Sequence, residues 1–195
     1  IKSIMTSSSH KSGTERLLEV AKSVNSDFYI NLQGDEPLIE PSDIDYLIEN
    51  LTKSNFDIVT LAHKIGFDEA KDPSLVKVIC NYKNEAIYFS RNVIPHGAKT
   101  YLQHVGIYGF TKKSLKLIES FSETNLEKLE SLEQLRWLEN NLKIGVFNSK
   151  NKSIGVDTFE DLKKAERILK LKKIKILFSD VDGILTDGKI WYGNE

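Results

Sequence analysis

The first place in this sequence where chemistry could happen is an acidic residue set just beyond an apolar strand. Phe28-Tyr29-Ile30-Asn31-Leu32-Gln33 reads as a strand, and Gly34-Asp35-Glu36-Pro37 cuts it off, so the Asp35 carboxylate lands past its C-terminal end. Open α/β sheets bind ligands at that edge. A hard oxygen donor there suits Mg2+, which takes one or two protein carboxylates and fills its other positions with water and phosphate oxygens. Gly-Asp is also ordinary turn chemistry, so a polar turn after a core strand is the alternative. Asp157 occupies a second strand-to-helix junction, after Ile154-Gly155-Val156, and the two carboxylates could meet at one metal.

Four other groups of residues could do chemistry. Arg91 emerges at the end of Ala86-Ile87-Tyr88-Phe89-Ser90, where a guanidinium can clamp a carboxylate or phosphate with paired hydrogen bonds or stand as a surface charge. In His104-Val105-Gly106-Ile107-Tyr108 the period of a strand puts His104, Gly106 and Tyr108 on one face, a small polar wall more like a ligand surface than a packed core. Ser12-Gly13-Thr14-Glu15 is a capping box, and His10, Lys11, Ser12 and Arg16 gather where that helix begins, a place for an anion or for a well-capped structural helix. Glu127, Glu130 and Gln134 share a stripe if Leu126 to Leu138 is one helix with its leucines buried. That stripe is solvated charge unless a polar ligand lies over it.

The elements that must carry these residues alternate between strand and helix, which predicts an α/β fold. Helices are expected from Gly13, from Pro41 with Ile44, Leu47, Ile48 and Leu51 at helical spacing, from Thr111 to about Phe121, and after Thr158 with Leu162, Ala165, Ile168 and Leu169. Strands are expected at Ile1 to Thr6, Asp57 to Ala62 and Lys143 to Phe147, with a hairpin of Val76 to Cys80 against Ala86 to Arg91. The two glycines of His104 to Phe110 allow close backbone approach.

The chain has 195 residues, a formal net charge of -1 and one cysteine, Cys80. Without a basic cluster nothing draws it to nucleic acid, and without a long apolar run nothing draws it to a membrane. The single cysteine rules out an internal disulfide framework and fits a reducing, cytoplasmic setting.

In order, the strings His10-x-Ser12-Gly13-Thr14-Glu15-Arg16, Gln33-Gly34-Asp35-Glu36-Pro37, Tyr88-Phe89-Ser90-Arg91, His104-Val105-Gly106-Ile107-Tyr108-Gly109, Leu132-Glu133-Gln134-Leu135-Arg136 and Gly155-Val156-Asp157-Thr158 closely resemble the 3-deoxy-manno-octulosonate (KDO) cytidylyltransferase family. The resemblance runs over about residues 1–170. It implies the Rossmann-like fold of nucleotide-diphospho-sugar transferases, with a mixed sheet, and a homodimer formed near Pro95 to Tyr101. It also implies a reaction in lipopolysaccharide biosynthesis, in which the anomeric hydroxyl of KDO attacks the α-phosphorus of CTP and pyrophosphate leaves. Asp35 and Asp157 match the family's Mg2+ carboxylates. Arg91, His104, Tyr108, Glu130 and Gln134 match the region that holds the sugar acid, with Arg91 the partner of its carboxylate and Glu133 an alternative to Glu130. Ser12, Arg16 and Gln33 fall in the nucleotide-side segments.

The sequence departs from the family in lacking its opening strand and the basic, glycine-containing loop that wraps the CTP phosphates. On that reading the chain alone turns over poorly. Residues 1–171 form the cytidylyltransferase domain, and residues 172–195 begin another. There Ser179-Asp180-Val181-Asp182-Gly183 ends a strand and resembles the first motif of haloacid-dehalogenase-type KDO 8-phosphate phosphatases, with Asp180 as nucleophile and Asp182 as acid/base. CMP-acylneuraminate synthetase is the nearest rival reading. A non-catalytic subunit, or a phosphatase with a helper domain, are the others.

Overall fold

The computed structural model describes residues 3–152, 155–156 and 158–171. The chain runs α1 (Gly13–Ser23), β1 (Phe28–Leu32), α2 (Pro41–Lys53), β2 (Ile58–Ile65), α3 (Phe67–Ala70), β3 (Lys77–Cys80), β4 (Ala86–Ser90), β5 (Tyr101–Thr111), α4 (Lys112–Ile118), α5 (Asn125–Glu130), α6 (Glu133–Glu139), β6 (Ile144–Asn148) and α7 (Phe159–Leu171). Among the described residues the strands form one mixed sheet in the order β4-β3-β5-β2-β6, with β1 also pairing with β5. β2 and β6 are parallel, whereas β5 is antiparallel to β1, β2 and β3.

The long strand β5 organises the sheet because it changes partner along one flank. Its second half, Ile107 to Thr111, pairs with β1, and its first half, Leu102 and Gln103, pairs with β3. β1 therefore ends where β3 begins, and the sheet is split beside His104, Val105 and Gly106. The split opens at the edge where strand ends and loops converge, the position expected of a ligand site in an open α/β sheet.

Alternation along β2 separates two cores. Ile58 and Ala62 face a cluster containing Tyr108, Phe110, Leu115, Leu135 and Trp137, with Leu17 and Leu18 of α1 packed against it. Val59 and Leu61 face Leu47 and Leu51 of α2 on the other side. Leu47 and Leu51 are essentially unexposed, and each such side chain contributes about 2 kcal/mol through removal of apolar area from water. Gly109 permits this packing, since a Cβ there would come within 2.8 Å of Leu51.

Two sequence expectations need correction, and one residue of an expected helix lies on its outer side. Ile4 and Met5 are 39% and 74% exposed, and residues 3–6 form no strand because no neighbouring strand pairs with them among the described residues. Ile48 lies outward on α2, at 40% exposure. The helix expected over Leu126 to Leu138 is two helices, because Ser131 adopts φ 54°, ψ 49° and ends α5 in the left-handed conformation. The break leaves Leu129 74% exposed and dissolves the stripe of Glu127, Glu130 and Gln134.

Candidate active site

A cavity of about 710 Å3 fills the split in the sheet. Gln33, Asp35 and Glu36 enter from the end of β1, Asp72, Ser74, Leu75 and Val76 from the approach to β3, and Arg91 from the end of β4. Gln103, His104, Gly106 and Tyr108 of β5 form the floor, Ser131 to Gln134 one wall, and Lys152, Gly155, Asp161 and Lys164 the opposite rim.

The loop after β1 is fastened to that floor by its backbone at Gln33 and by the Glu36 carboxylate. Gln33 donates its amide to the Gly106 carbonyl at 3.2 Å, and the Gly106 amide donates to Glu36 Oε1 at 3.0 Å. A Cβ at 106 would stand 2.7 Å from Gln33 Oε1, so the Gln33 side chain as placed here relies on glycine at that position. Asp35 is exposed toward the cavity, and its carbonyl accepts from the Val156 amide at 2.8 Å. That bond ties the Asp35 loop to Val156 at the backbone. Asp157 itself, like Asp180 and Asp182, lies outside the described residues.

On the floor, the irregularity in β2 between Thr60 and Leu61 turns the Thr60 hydroxyl toward β5. The hydroxyl donates to the Ile107 carbonyl at 2.7 Å and lies 3.0 Å from His104 Nε2. Its proton is thus committed to a carbonyl, so it accepts from the ring and Nε2 carries the imidazole hydrogen. Burial pushes the His104 pKa down to about 3, so the ring is neutral and acts through hydrogen bonding rather than charge. Gln134 donates to the Tyr108 hydroxyl, and burial, with Glu133 adding to it, raises the phenol well above its ordinary range. His104 and Tyr108 line the cavity yet also pack edgewise against Phe89 and Trp137, so this face is ligand wall and core at once.

The two glutamates offered for the sugar pocket part company. Glu130 does not line the cavity; its carboxylate accepts from the Ser90 hydroxyl at 2.7 Å and from the Arg91 amide at 2.9 Å, and so closes the end of β4. Glu133 does line it, accepting from Thr14 Oγ1 at 2.8 Å and Ser12 Oγ at 3.2 Å. Burial raises the Glu133 pKa against the lowering effect of the Thr14 hydroxyl. Of the two, only Glu133 lines the cavity, and Glu130 is a structural carboxylate at the end of β4.

Arg91 reaches the cavity while its guanidinium donates to the carbonyls of Glu130 at 3.0 Å and Pro73 at 3.1 Å. Fully buried Lys77 was missed in the sequence, where it looks like any polar residue beside a hairpin. Its ammonium donates to the carbonyls of Asp72, Leu75 and Arg91, all cavity residues. Desolvation lowers its pKa. Two nucleotide-side assignments shift outward. Arg16 donates to Thr6 Oγ1 and the Ser7 carbonyl, away from the cavity lining, because the segment before α1 folds back over that helix. Ser12 caps α1 and touches the cavity only through Glu133.

Six carboxylates and three cationic side chains line the cavity. A polyphosphate entering it needs a divalent cation to offset that balance. Asp35 and Glu36 supply hard oxygen donors, and no group of three potential ligands converges among the described residues. This donor set fits Mg2+, which needs few protein carboxylates.

A cytidylyltransferase family model matches residues 1–144. The 3-deoxy-manno-octulosonate cytidylyltransferase of Rickettsia canadensis is 47% identical over 168 residues, covering 84% of this chain and 69% of that protein. The chain belongs to this cytidylyltransferase family. The enzyme of the same name from Fusobacterium nucleatum is 45% identical over 181 residues, covering 89% of this chain and 74% of that one. Among solved structures, CMP:2-keto-3-deoxy-manno-octonic acid synthetase complexed with CTP superposes with a TM-score of 0.83 at 40% identity, over 87% of this chain and 72% of that one. An inositol-1-phosphate CTP transferase from T. maritima, at 20% identity and TM-score 0.58 over 83% and 62% of the two chains, shares the fold alone. The cytidylyltransferase fold with its mixed sheet is thus as the sequence implies. No helix among the described residues is long and apolar enough to cross a membrane.

Proposed function

We propose that this cytidylyltransferase transfers CMP from CTP to the anomeric hydroxyl of KDO, releasing pyrophosphate, in the cavity between β1 and β3. The single observation that supports the reading is the fastening of the Asp35 loop to Gly106 and to Val156, which brings that loop and the Gly155–Val156 segment to one cavity rim. Asp35 and Asp157 are the proposed holders of Mg2+, which when bound supplies neutralisation of phosphate charge. Attack is in line at phosphorus, so the protein's task is positioning. Neutral His104, the Tyr108–Gln134 pair and Glu133 present hydrogen-bonding groups to sugar hydroxyls. Arg91 faces the sugar carboxylate. Gln33 lies on the nucleotide side. The names of the relatives support KDO over the acylneuraminate reading.

Asp180 and Asp182 are proposed as the nucleophile and acid/base of a phosphatase motif, which would join two steps of lipopolysaccharide biosynthesis in one chain. Homodimer formation through Pro95 to Tyr101 and a cytoplasmic setting belong to the same proposal. The test is pyrophosphate release from CTP with KDO or N-acetylneuraminate as acceptor, in Mg2+ and in chelator. KDO-dependent, Mg2+-dependent release that falls about a thousandfold in Asp35→Asn is expected. Equal release with both sugars, or an unimpaired Asp35→Asn, refutes the assignment.

A further inference from the structure

A second cavity, of about 360 Å3, opens beside the first at the C-terminal ends of β2 and β6. None of the steps proposed above uses it. His63, Lys64, Ser149, Lys150, Asn151 and Lys152 line it, and among the described residues no carboxylate does. Asp43 lies beneath it but is engaged, accepting from Ser149 Oγ at 2.8 Å and Asn151 Nδ2 at 3.1 Å. Lys152 pairs with Glu69 and also lines the larger cavity. Lys64 and Lys150 have no carboxylate partner among the described residues. Lys64 and Lys150 give the lining an excess of positive charge, which favours an anion there.

The independent observation is His63. It is 5% exposed, and neither ring nitrogen has a hydrogen-bond partner. Polar groups that deeply placed are nearly always satisfied, and an orphan at a cavity wall calls for a ligand. Burial, reinforced by Lys152, lowers the ring's pKa against the opposing effects of the Gln103 side chain, which approaches the ring without reaching hydrogen-bond geometry, and of Glu69 and Asp43. A neutral ring still offers one N–H to an oxyanion oxygen.

We propose that this cavity is a second binding site, for a phosphate-class oxyanion, held by the His63 ring between the ammonium groups of Lys64 and Lys150. The shared wall at Lys152 puts the anion next to the reaction cavity, so it is either free phosphate or pyrophosphate. The site itself does not rest on the reading of the larger cavity; the naming of pyrophosphate as its reaction-derived occupant does.

The experiment follows the four histidine rings by NMR, with His63→Gln identifying the His63 signal. Inorganic phosphate and, separately, pyrophosphate are titrated without magnesium against chloride of equal ionic strength. A saturable shift of His63 is expected, weakened about tenfold or more when Lys64→Ala and Lys150→Ala are combined. It should persist unchanged in Asp35→Asn. Tighter binding of pyrophosphate marks the anion as reaction product, and tighter binding of phosphate marks it as a free ion. A response no larger than that to chloride, unaltered titration after loss of both lysines, or its disappearance in Asp35→Asn overturns the proposal. The reading of the reaction cavity stands or falls separately, on the pyrophosphate-release assay.

Discussion

Glu130 and Glu133 stand three positions apart in sequence, yet one closes a strand end and the other lines the cavity. Ser131 makes the difference. Its left-handed backbone stops α5, and α6 restarts at Glu133, so the two carboxylates no longer share a helix face. The Glu130 side of the cavity is a cross-braced wall in which carboxylate, guanidinium and the Lys77 ammonium all serve backbone groups. On the Glu133 side, a carboxylate with a raised pKa rests on two hydroxyls and faces the space a substrate would fill. Identical residue types in one short segment thus divide into support and contact, and hydrogen-bond partners distinguish them where spacing does not.

Breaking the braced wall should have the largest effect on folding. Lys77→Met leaves three carbonyls without their cation, and urea denaturation should show a loss of about 3 kcal/mol. An unchanged midpoint and slope would mean that the ammonium is not what holds Asp72, Leu75 and Arg91 together. Glu130→Ala should cost about 2 kcal/mol of stability through the orphaned Arg91 amide and Ser90 hydroxyl. Its effect on transfer should come mainly as a higher KM. Glu133→Gln should do the reverse, lowering kcat/KM about thirtyfold with little change in stability. Matching behaviour of the two variants would erase the distinction.

A pH series sharpens the same contrast. Because the Glu133 carboxyl holds its proton more tightly folded than unfolded, folding takes up a proton, and its contribution to stability falls as pH rises through the window between its ordinary and raised values. Glu133→Gln should remove that decline, so its stability relative to the parent should improve from the acid side of the window to neutrality. A difference that is flat with pH would show the carboxyl to be unperturbed.

Much of this arrangement was legible in the sequence, and its failures have physical causes. The cap at Ser12, the proline opening α2 and the hairpin from Lys77 to Ser90 follow from local chemistry that tertiary packing does not override. So do the strand and loop around Asp35. Reading Leu126 to Leu138 as one helix failed because leucine periodicity continues across a break made by a single backbone conformation. The reading of His104 and Tyr108 as more ligand wall than packed core captured half of their role, because β5 is covered on both faces and its side chains do two jobs. Lys77 and His63 gave no signal, since a lysine or histidine in an amphipathic strand looks the same whether its head meets water, carbonyls or nothing. Glu36 was visible only as part of a turn, and its bond to Gly106 needed the fold to bring residues 70 positions apart together.

The location of the metal-bound nucleotide can be measured directly by replacing Mg2+ with paramagnetic Mn2+ in the presence of CTP and recording amide relaxation. Enhancement centred on Gln33 to Glu36, extending to Gly106 and to Gly155 and Val156 while sparing α2 and α5, is the predicted result. Enhancement centred elsewhere, with the amides around Asp35 unaffected, would contradict the assignment of this cavity as the site of cytidylyl transfer.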